Sequence, residues 1–346
     1  MKKFKRTLSL FVIILLSGCR IFLGPDPDTS PQGIFDRIWT DFNETYALMD
    51  VKGIDWDDAY TTFSPQILPG MGDRQLFDVC ADMLAILNDA HVSLMSPFAY
   101  SNSGGRFDTT NQDPFSLDVV KTYLTGGGTS AENGMFLYGT FLSEPKVGYI
   151  FIAGFANGFV GTAGQDWALA IDSIVESLAE TDSLVLDLRG NRGGLIPNVN
   201  YIASRFASVQ KDYVQVRTKN GPGRNDFSSP INNTIIPEGS KYIKPIVLLT
   251  NKQTISGGEW FTLALCSQSH VTHAGGTTNG AFSLSLARPL INGWSYTVSV
   301  QKVTDMNGTC HEGTGITPDA PHLQVNTNAE IAANKDTQLE YARDLF

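Results

Sequence analysis

From Gly148 onward the chain alternates short apolar runs with amphipathic segments, and this alternation constrains the fold more than any other feature. The apolar runs are VGYIFIAGF, SLVLDL and KPIVLLT. Three segments with a helical period, QDWALAIDSIVESLAE, IPNVNYIASRFAS and GEWFTLALCS, follow them in turn. Continuous apolar strands are buried on both faces, which is typical of a mostly parallel sheet covered by helices. The sequence therefore predicts an α/β core over residues 146–346, with 294–300 and the run GITPDAPHLQV as peripheral strand and loop.

Two regions of different character precede this core. Residues 33–95 contain the amphipathic segments IFDRIWTDFNETYALMD, DWDDAYTTFSPQI and RQLFDVCADMLAILNDAH, which predict a helical bundle with His91 at the end of the third helix. Residues 96–145 are rich in turn residues, and strands are predicted around 115–124 and 135–141. We expect a small β-rich segment there.

The first residues, MKKFKRTLSLFVIILLSGC, combine basic residues, a short apolar stretch and small residues before Cys19. This pattern predicts a secretory signal over residues 1–18, since the apolar stretch is too short for a membrane span of about 20 residues. LSGC resembles a bacterial lipobox, which implies lipidation of Cys19 and a membrane anchor. The proline-containing run 19–32 is then expected to be a linker between lipid and body. An exported bacterial lipoprotein of the cell envelope is predicted.

The charge and the cysteines exclude several classes of protein. Removing residues 1–18 takes away four positive charges and moves the formal net charge from −10 to −14, which argues against a nucleic-acid partner. With Cys19 assigned to the lipid, only Cys80, Cys266 and Cys310 remain, and they are widely spaced. No disulfide framework or zinc site is indicated, and no cofactor is expected.

Two loops follow predicted strands of the core, where α/β proteins tend to bind ligands. The first is RGNRGG (residues 189–194), whose glycines suit either a tight turn or close approach of backbone N–H groups to a ligand. The second, NKQTISGG, contains Ser256 at the start of a predicted helix. Ser256 and Glu259 match a capping box, but a helix start also offers backbone donors for an oxyanion, so a nucleophile is the alternative.

A serine nucleophile needs a base, and five histidines are available: His91, His270, His273, His311 and His322. Taken singly, each is more often structural than catalytic. A resemblance to a known family distinguishes one of these histidines from the others. Four segments resemble, in this order, the core of the C-terminal processing (tail-specific) peptidases and their tricorn-core relatives: LVLDLRGNRGG, LLTNKQTISGGEWFTLAL, HAGGTTNGAFS and HEGTGITPD. FDRIWTDFNETYALMDVKGIDWDDAY and LNDAHVSL resemble the helical part of the tricorn-like branch.

This resemblance implies a ClpP/crotonase-like core with Ser256 as nucleophile. Ala281 stands where many relatives have a catalytic lysine, so the resemblance implies instead a histidine base, His91, with Glu312 as its partner. The tricorn core has a serine next to its histidine where this chain has Ala90, so the orientation of His91 is left to Glu312 or, as second candidate, Asp89.

The oxyanion of such an enzyme is expected to bind the backbone N–H of Gly257 and one from Gly193 or Gly194. The implied function is a lipid-anchored serine endopeptidase of exported or misfolded polypeptides. Many relatives carry a PDZ domain, but residues 96–145 are too few for a full one. A catalytically inactive lipoprotein binding peptide, lipid or glycan on the same fold is the main alternative, and an esterase using the same serine is a third.

Overall fold

The computed structural model describes residues 28–104, 112–156 and 166–346. The predicted signal peptide, Cys19 and most of the predicted linker lie outside these ranges. The first described helix begins at Pro31, two residues before the predicted boundary, and the Ser30 hydroxyl caps it by accepting the N–H of Gly33 at 3.1 Å. Within the described ranges, no helix has the length and apolar character that crossing a bilayer requires.

The described helices and strands follow one another in the order in which they are numbered. The helices are α1 (Pro31–Thr45), α2 (Met49–Lys52), α3 (Trp56–Phe63), α4 (Asp73–Ala85), α5 (Leu117–Tyr123), α6 (Ala170–Ser177), α7 (Ile196–Ser204), α8 (Gly257–Cys266), α9 (Asn328–Ala332) and α10 (Thr337–Asp344). The strands are β1 (Ser93–Met95), β2 (Tyr100–Asn102), β3 (Thr129–Ala131), β4 (Phe136–Thr140), β5 (Val147–Ile152), β6 (Ser183–Asp187), β7 (Lys211–Thr218), β8 (Ile231–Ile235), β9 (Ile246–Thr250), β10 (Val271–Gly275), β11 (Ser285–Pro289), β12 (Ser295–Ser299) and β13 (Gln301–Asp305).

The core is a six-stranded sheet in the order β10-β9-β6-β5-β4-β3. Strands β5, β6 and β9 are parallel, as the continuous apolar runs predicted, and every residue of these three strands is buried. Strand β10, which was not predicted, pairs in parallel with β9. Strand β4 joins antiparallel to β5, with Phe136 opposite Ile152. The predicted β-rich segment is therefore not a separate unit, because β3 and β4 extend the core sheet.

The prediction of a strand around 115–124 is wrong, because this run forms helix α5. The Ser116 hydroxyl caps α5. Val119 and Val120 are both buried, whereas the alternation of a strand with one buried face would bury only one of two successive residues. Strand β4 at Phe136–Thr140 confirms the prediction for 135–141. Helix α5 and the three strands β2, β3 and β4 thus share the region for which the turn-rich composition predicted strands alone.

The N-terminal helices do not form a bundle on their own. They pack on a second sheet, of order β11-β12-β1-β2, in which β12 pairs antiparallel with β1. Trp294, Tyr296 and Val298 of this region are buried in one apolar cluster with the residues of α1 and α4. The prediction of 294–300 as peripheral was therefore wrong: the C-terminal half of the chain supplies the strand on which the helices pack.

A third sheet, of order β13-β7-β8, is antiparallel throughout and was not predicted. Strand β7 alternates buried and more exposed residues from Val214 to Arg217, which is the pattern of a strand with one face in the core. Strand β13 follows β12 after the single residue Val300, so the second and third sheets are joined by one continuous length of chain.

A buried ion pair joins the C-terminal segment to the loop after β6. Arg189 donates to both carboxylate oxygens of Asp187, the shortest bond being 2.7 Å, and to Asp336 at 2.7 Å; all three side chains are fully buried. Asp336 also caps α10 by accepting the N–H of Leu339 at 3.0 Å. Burial by itself raises the pKa of the Asp336 carboxyl, but the Arg189 charge brings it below its ordinary value.

We predict that Asp336→Ala lowers the free energy of unfolding by about 3–5 kcal/mol, because Arg189 then keeps a buried charge with one carboxylate fewer. Urea titration measures the change. Asp344→Ala is the control, since its side chain is 63% exposed and pairs with Arg343 at the surface; its effect should stay within about 0.5 kcal/mol. Equal destabilisation by the two substitutions would contradict the assignment.

Candidate functional site

The two loops singled out in the sequence lie side by side because their strands are neighbours in the sheet. Strand β6 pairs in parallel with β9, with Asp187 opposite Leu249, so both strands end at the same edge. The loop RGNRGG follows β6, and the loop leading to Ser256 follows β9. This is the edge at which parallel α/β sheets bind ligands.

Asn191 fixes these loops to each other and to β5. Its side chain is fully buried, donates to the carbonyl oxygen of Ile152 at 2.9 Å and accepts the N–H of Gly193 at 2.9 Å. Its own carbonyl oxygen accepts the N–H of Ile255, next to Ser256, at 3.1 Å. One amide side chain and its backbone therefore hold the positions of both loops.

Ser256 lies at the junction of the β9 loop and α8 in a backbone conformation rare for a non-glycine residue, with φ 58° and ψ −119°. Its N–H donates to the Glu259 carboxylate at 3.0 Å, and its carbonyl oxygen accepts the N–H of Glu259 at 2.8 Å. The cap thus works through the N–H and the carbonyl oxygen of Ser256, and it does not use the hydroxyl proton that a nucleophile has to release. The capping interpretation leaves the hydroxyl available for chemistry.

Glu259 is fully buried and links α8 to the next loop as well. Its carboxylate accepts hydrogen bonds from the Thr278 hydroxyl at 2.7 Å, the Gly280 N–H at 2.6 Å and the Ala281 N–H at 2.9 Å, in addition to that from Ser256. Burial raises the pKa of this carboxyl above its ordinary value, against these hydrogen bonds, which lower it. Glu259 therefore holds the backbone of Ser256 and the loop 278–281 in one arrangement.

The backbone amides near Ser256 form a candidate oxyanion site. The N–H of Gly193 donates to Asn191, whereas the N–H groups of Gly194 and Gly257 have no acceptor among the described residues. A Cβ added to Gly257 would lie 2.9 Å from the nitrogen of Gly194, so these two amides are close. Of the two glycines that the sequence left open, Gly194 is the one with an available donor.

Only glycine fits at Gly193 and Gly194, the last two residues of the loop RGNRGG. A Cβ on Gly193 would lie 2.8 Å from the Cβ of Ser256, and one on Gly194 would lie 2.1 Å from the backbone nitrogen of Ala156. Both residues have positive φ, of 73° and 143°. The loop approaches the serine backbone because neither residue carries a side chain.

His91 lies beyond the end of α4, which stops at Ala85, and not on that helix as predicted. It occupies a turn before β1, where its N–H donates to Asp89 at 2.8 Å and its carbonyl oxygen accepts the hydroxyls of Ser285 and Thr297 at 2.9 and 2.7 Å. Residues of β11 and β12 thus hold the backbone of His91 from the C-terminal half of the chain. The side chain is nearly buried, with 6% exposed.

Two carboxylates approach this region from different parts of the chain. Asp89 accepts hydrogen bonds from the hydroxyls of Tyr46 at 2.9 Å and Ser299 at 2.8 Å. Glu312 accepts the N–H of Phe282 at 2.9 Å through Oε2, while its buried Oε1 has no partner among the described residues. Burial, and then the charge of Asp89, raises the pKa of Glu312 well above its ordinary value.

His91 and Ser256 line the same cavity, of about 690 Å³, together with Gly193 and Gly194. Phe282, whose backbone binds Glu312, also lines it. The cavity lies between the core sheet, the third sheet and the turn that bears His91. Ala90, Ile255 and Ala281 form a small buried cluster, so the neighbours of the histidine and of the serine are in contact.

Several residues of this site carry no recognisable signal in the sequence. Asn191 is a polar residue in a glycine-rich loop. Ser285 and Thr297 lie on β11 and β12, which pair with each other, and the pairing of β12 with β1 joins segments that are far apart in the sequence. Glu259 was interpreted as a capping residue only, and its contacts with the loop 278–281 were not expected. Within the described ranges, no three His, Cys, Asp or Glu side chains are grouped so as to hold a metal ion.

Comparison with known families agrees with this geometry. The model of "Peptidase family S41" matches residues 146–322, half of the chain, and that of the "Tricorn protease C1 domain" matches residues 27–85. The chain belongs to peptidase family S41. The matched range contains both glycine-containing loops, Ser256 and Glu312. The fold of the chain is of the ClpP/crotonase type with a helical N-terminal region.

Individual relatives are consistent with the S41 assignment. The carboxy-terminal processing protease CtpB of Bacillus subtilis is 28% identical over 183 residues, which cover 51% of this chain and 35% of that protein. The chain therefore matches about a third of the length of this curated relative. A solved structure of a putative peptidase from Parabacteroides merdae is 28% identical, with a TM-score of 0.81 over 92% of this chain and 97% of that one.

A third comparison concerns the fold alone. The photosystem II D1 C-terminal processing protease superposes with a TM-score of 0.55 at 18% identity, over 84% of this chain and 92% of its own. The order of sheets and helices is thus shared with a processing protease of low sequence identity. Serine-type peptidases of the S41 family are the class to which this chain is related.

We predict that Glu312→Gln raises the thermal midpoint at pH 8. Because the pKa of Glu312 is higher in the folded protein than the ordinary value of 4.5, the folded state holds this proton more tightly than the unfolded state. Stability of the wild type therefore falls as the pH rises above about 4.5, whereas the amide has no proton to lose. Melting curves at pH 4 and pH 8 measure the difference.

Glu330→Gln provides a control of opposite sign. Hydrogen bonds from Thr337 and Thr327 lower the pKa of Glu330 to about 2, so its ionised form stabilises the folded state above the ordinary pKa and this contribution is lost as the pH falls. This variant should melt below the wild type at pH 8. A Glu312→Gln protein that also melts below the wild type at pH 8 would contradict the role of burial.

Proposed function

We propose that this chain is a serine endopeptidase that hydrolyses peptide bonds of exported or misfolded polypeptides, with Ser256 as nucleophile, His91 as base and Glu312 as the partner of the base. The observation that supports it most is that Ser256 and His91, which are distant in sequence, line one cavity beside two available backbone donors. The family assignment supports the same reaction class.

The first half of the reaction forms an acyl-enzyme. His91 takes the proton of the Ser256 hydroxyl as its oxygen attacks the peptide carbonyl. The carbonyl oxygen becomes an oxyanion, and the N–H groups of Gly194 and Gly257 stabilise it together with the positive end of α8. The intermediate collapses when His91 returns the proton to the leaving amine, which breaks the peptide bond and leaves the acyl group on Ser256. Water then repeats these steps and releases the acid.

Glu312 acts when the imidazole becomes charged. Its Oε1 lacks a protein partner among the described residues, whereas Oε2 is held by the Phe282 N–H. A positive imidazolium nearby favours the ionised carboxylate, in opposition to the burial that raises its pKa. Asp89 acts differently, since it binds the backbone N–H of His91 and two hydroxyls. We assign Asp89 to positioning the turn of His91.

The cavity supports a polypeptide substrate. Apolar side chains such as Leu195, Ile196, Val216 and Trp260 form much of its wall, and such a wall suits an apolar side chain next to the scissile bond. We further propose that a lipid on Cys19 anchors the body to a membrane of the bacterial cell envelope. A lipid-anchored enzyme meets exported polypeptides at that surface.

We predict that a fluorophosphonate probe labels the wild type and that Ser256→Ala abolishes labelling, because the probe reacts only with an activated serine hydroxyl. Gel fluorescence measures the extent. Ser267→Ala is a matched control at the other end of α8, where the hydroxyl bonds the carbonyl of Ala264, and it should label like the wild type.

Undiminished labelling of Ser256→Ala would remove this serine from the mechanism. Failure of the wild type to label, combined with tight binding of unfolded polypeptide, would favour a receptor on the same fold over the peptidase.

A further inference from the structure

Arg192 is the one permanently charged side chain among the described residues that line the cavity of Ser256. Apart from His91, the other lining residues are neutral, and many are apolar. A single cation in a cleft with apolar walls acts more strongly on an anion than it does on an open surface, because the walls exclude water and concentrate the field.

The backbone of Arg192 is fixed immediately beside the candidate oxyanion donors. It lies between Asn191, which is fully buried, and Gly193, whose Cα approaches Ser256 closely. The N–H of Arg192 donates to the carbonyl oxygen of Ala153 at 3.3 Å. Consecutive Cα atoms are about 3.8 Å apart, so the side chain of Arg192 starts one residue away from the position at which Gly193 approaches Ser256.

The other arginines that lie close to the core have carboxylate partners. Arg189 pairs with Asp187 and Asp336, and Arg205 pairs with Asp172 at 2.7 Å. Arg192, which is exposed, makes no ion pair with any Asp or Glu of residues 28–104, 112–156 and 166–346. Its charge is therefore available to a ligand in the cavity.

We propose that Arg192 binds a carboxylate of the substrate close to the scissile bond and so determines which polypeptides are cleaved. This inference rests on the proposed peptidase function and names the chemistry that its substrate carries. The planar guanidinium binds a carboxylate through two parallel hydrogen bonds, which fixes orientation as well as charge. The carboxylate belongs either to the C-terminal residue of the polypeptide or to an Asp or Glu side chain near the cleaved bond.

A set of matched peptides tests the inference and separates the two sources. The probes are one short apolar peptide with a free C-terminal carboxylate, the same peptide as its carboxamide, and two C-terminally extended carboxamides with Glu or Gln near the bond that is cut. We expect the wild type to cleave at least one carboxylate peptide about tenfold or more faster, in kcat/KM, than its neutral match, the size of one hydrogen bond to a charged group. Preference for the free terminus or for Glu identifies the source.

Substitutions of Arg192 then test the charge itself. Arg192→Gln should remove the preference, so that kcat/KM for the carboxylate peptide and for its neutral match agree within about twofold, because neither peptide can then make an ion pair with residue 192. Arg192→Glu should reverse it in favour of a peptide with Lys in place of Glu, which a general structural defect does not do. Arg217→Gln is the control, since Arg217 lines a different cavity, and it should keep the wild-type preference.

The outcomes distinguish failure of this inference from failure of the proposed function. If the wild type cleaves acid and neutral peptides equally and Arg192→Glu changes nothing, the inference is overturned and the peptidase stands. If no peptide is cleaved, binding of the same peptides to Ser256→Ala, measured by fluorescence anisotropy, decides. Tighter binding of a carboxylate peptide than of its neutral match, lost on adding Arg192→Gln, would support the role of Arg192 in a protein that binds peptides without cleaving them. Equal binding of the two peptides would overturn the inference.

Discussion

The buried carboxylate of Glu259 is the interaction on which the site depends. It accepts the N–H of Ser256 and three further hydrogen bonds from residues 278–281, and none of these donors is a charged side chain. The left-handed backbone of Ser256 costs on the order of 1–3 kcal/mol in a residue with a side chain, so it persists only where its surroundings fix it. Glu259 on one side and the Asn191 loop on the other supply that constraint, and the hydroxyl is presented at the start of α8 as a result.

The second constraint is long-range, because it brings His91, the proposed base, to the cavity of Ser256, the proposed nucleophile. His91 belongs to the N-terminal part of the chain, yet β11 and β12 from the C-terminal half hold its backbone through Ser285 and Thr297. Strand β12 also carries Tyr296, which is buried among the N-terminal helices. The body that bears His91 is therefore assembled from both ends of the chain, and the histidine is positioned only when the whole chain has folded. Arg189 likewise binds Asp336, the residue that caps the last helix α10, so the loop after β6 also depends on the C-terminal segment for its position.

The sequence predicted what local pattern controls and missed what distant contacts control. The parallel strands β5, β6 and β9 were predicted because burial on both faces leaves a continuous apolar run. The third sheet and the place of β12 were missed because their pairing joins distant segments. His91 was assigned to a helix end because apolar spacing does not reveal where a helix stops, whereas α4 ends at Ala85. Likewise, glycine spacing left Gly193 and Gly194 equivalent, and only the hydrogen bond from Gly193 to Asn191 distinguishes them.

A double-mutant cycle on cleavage of an unfolded polypeptide tests most directly whether His91 and Ser256 act as one unit. The rates to be compared are those of the wild type, His91→Ala, Ser256→Ala and the double variant. Groups that act together in one step are strongly non-additive. We predict that each single variant loses activity on the order of 10⁴-fold or more and that the double variant loses little beyond either. Losses that multiply in the double variant, or a His91→Ala protein that retains wild-type activity, would contradict it.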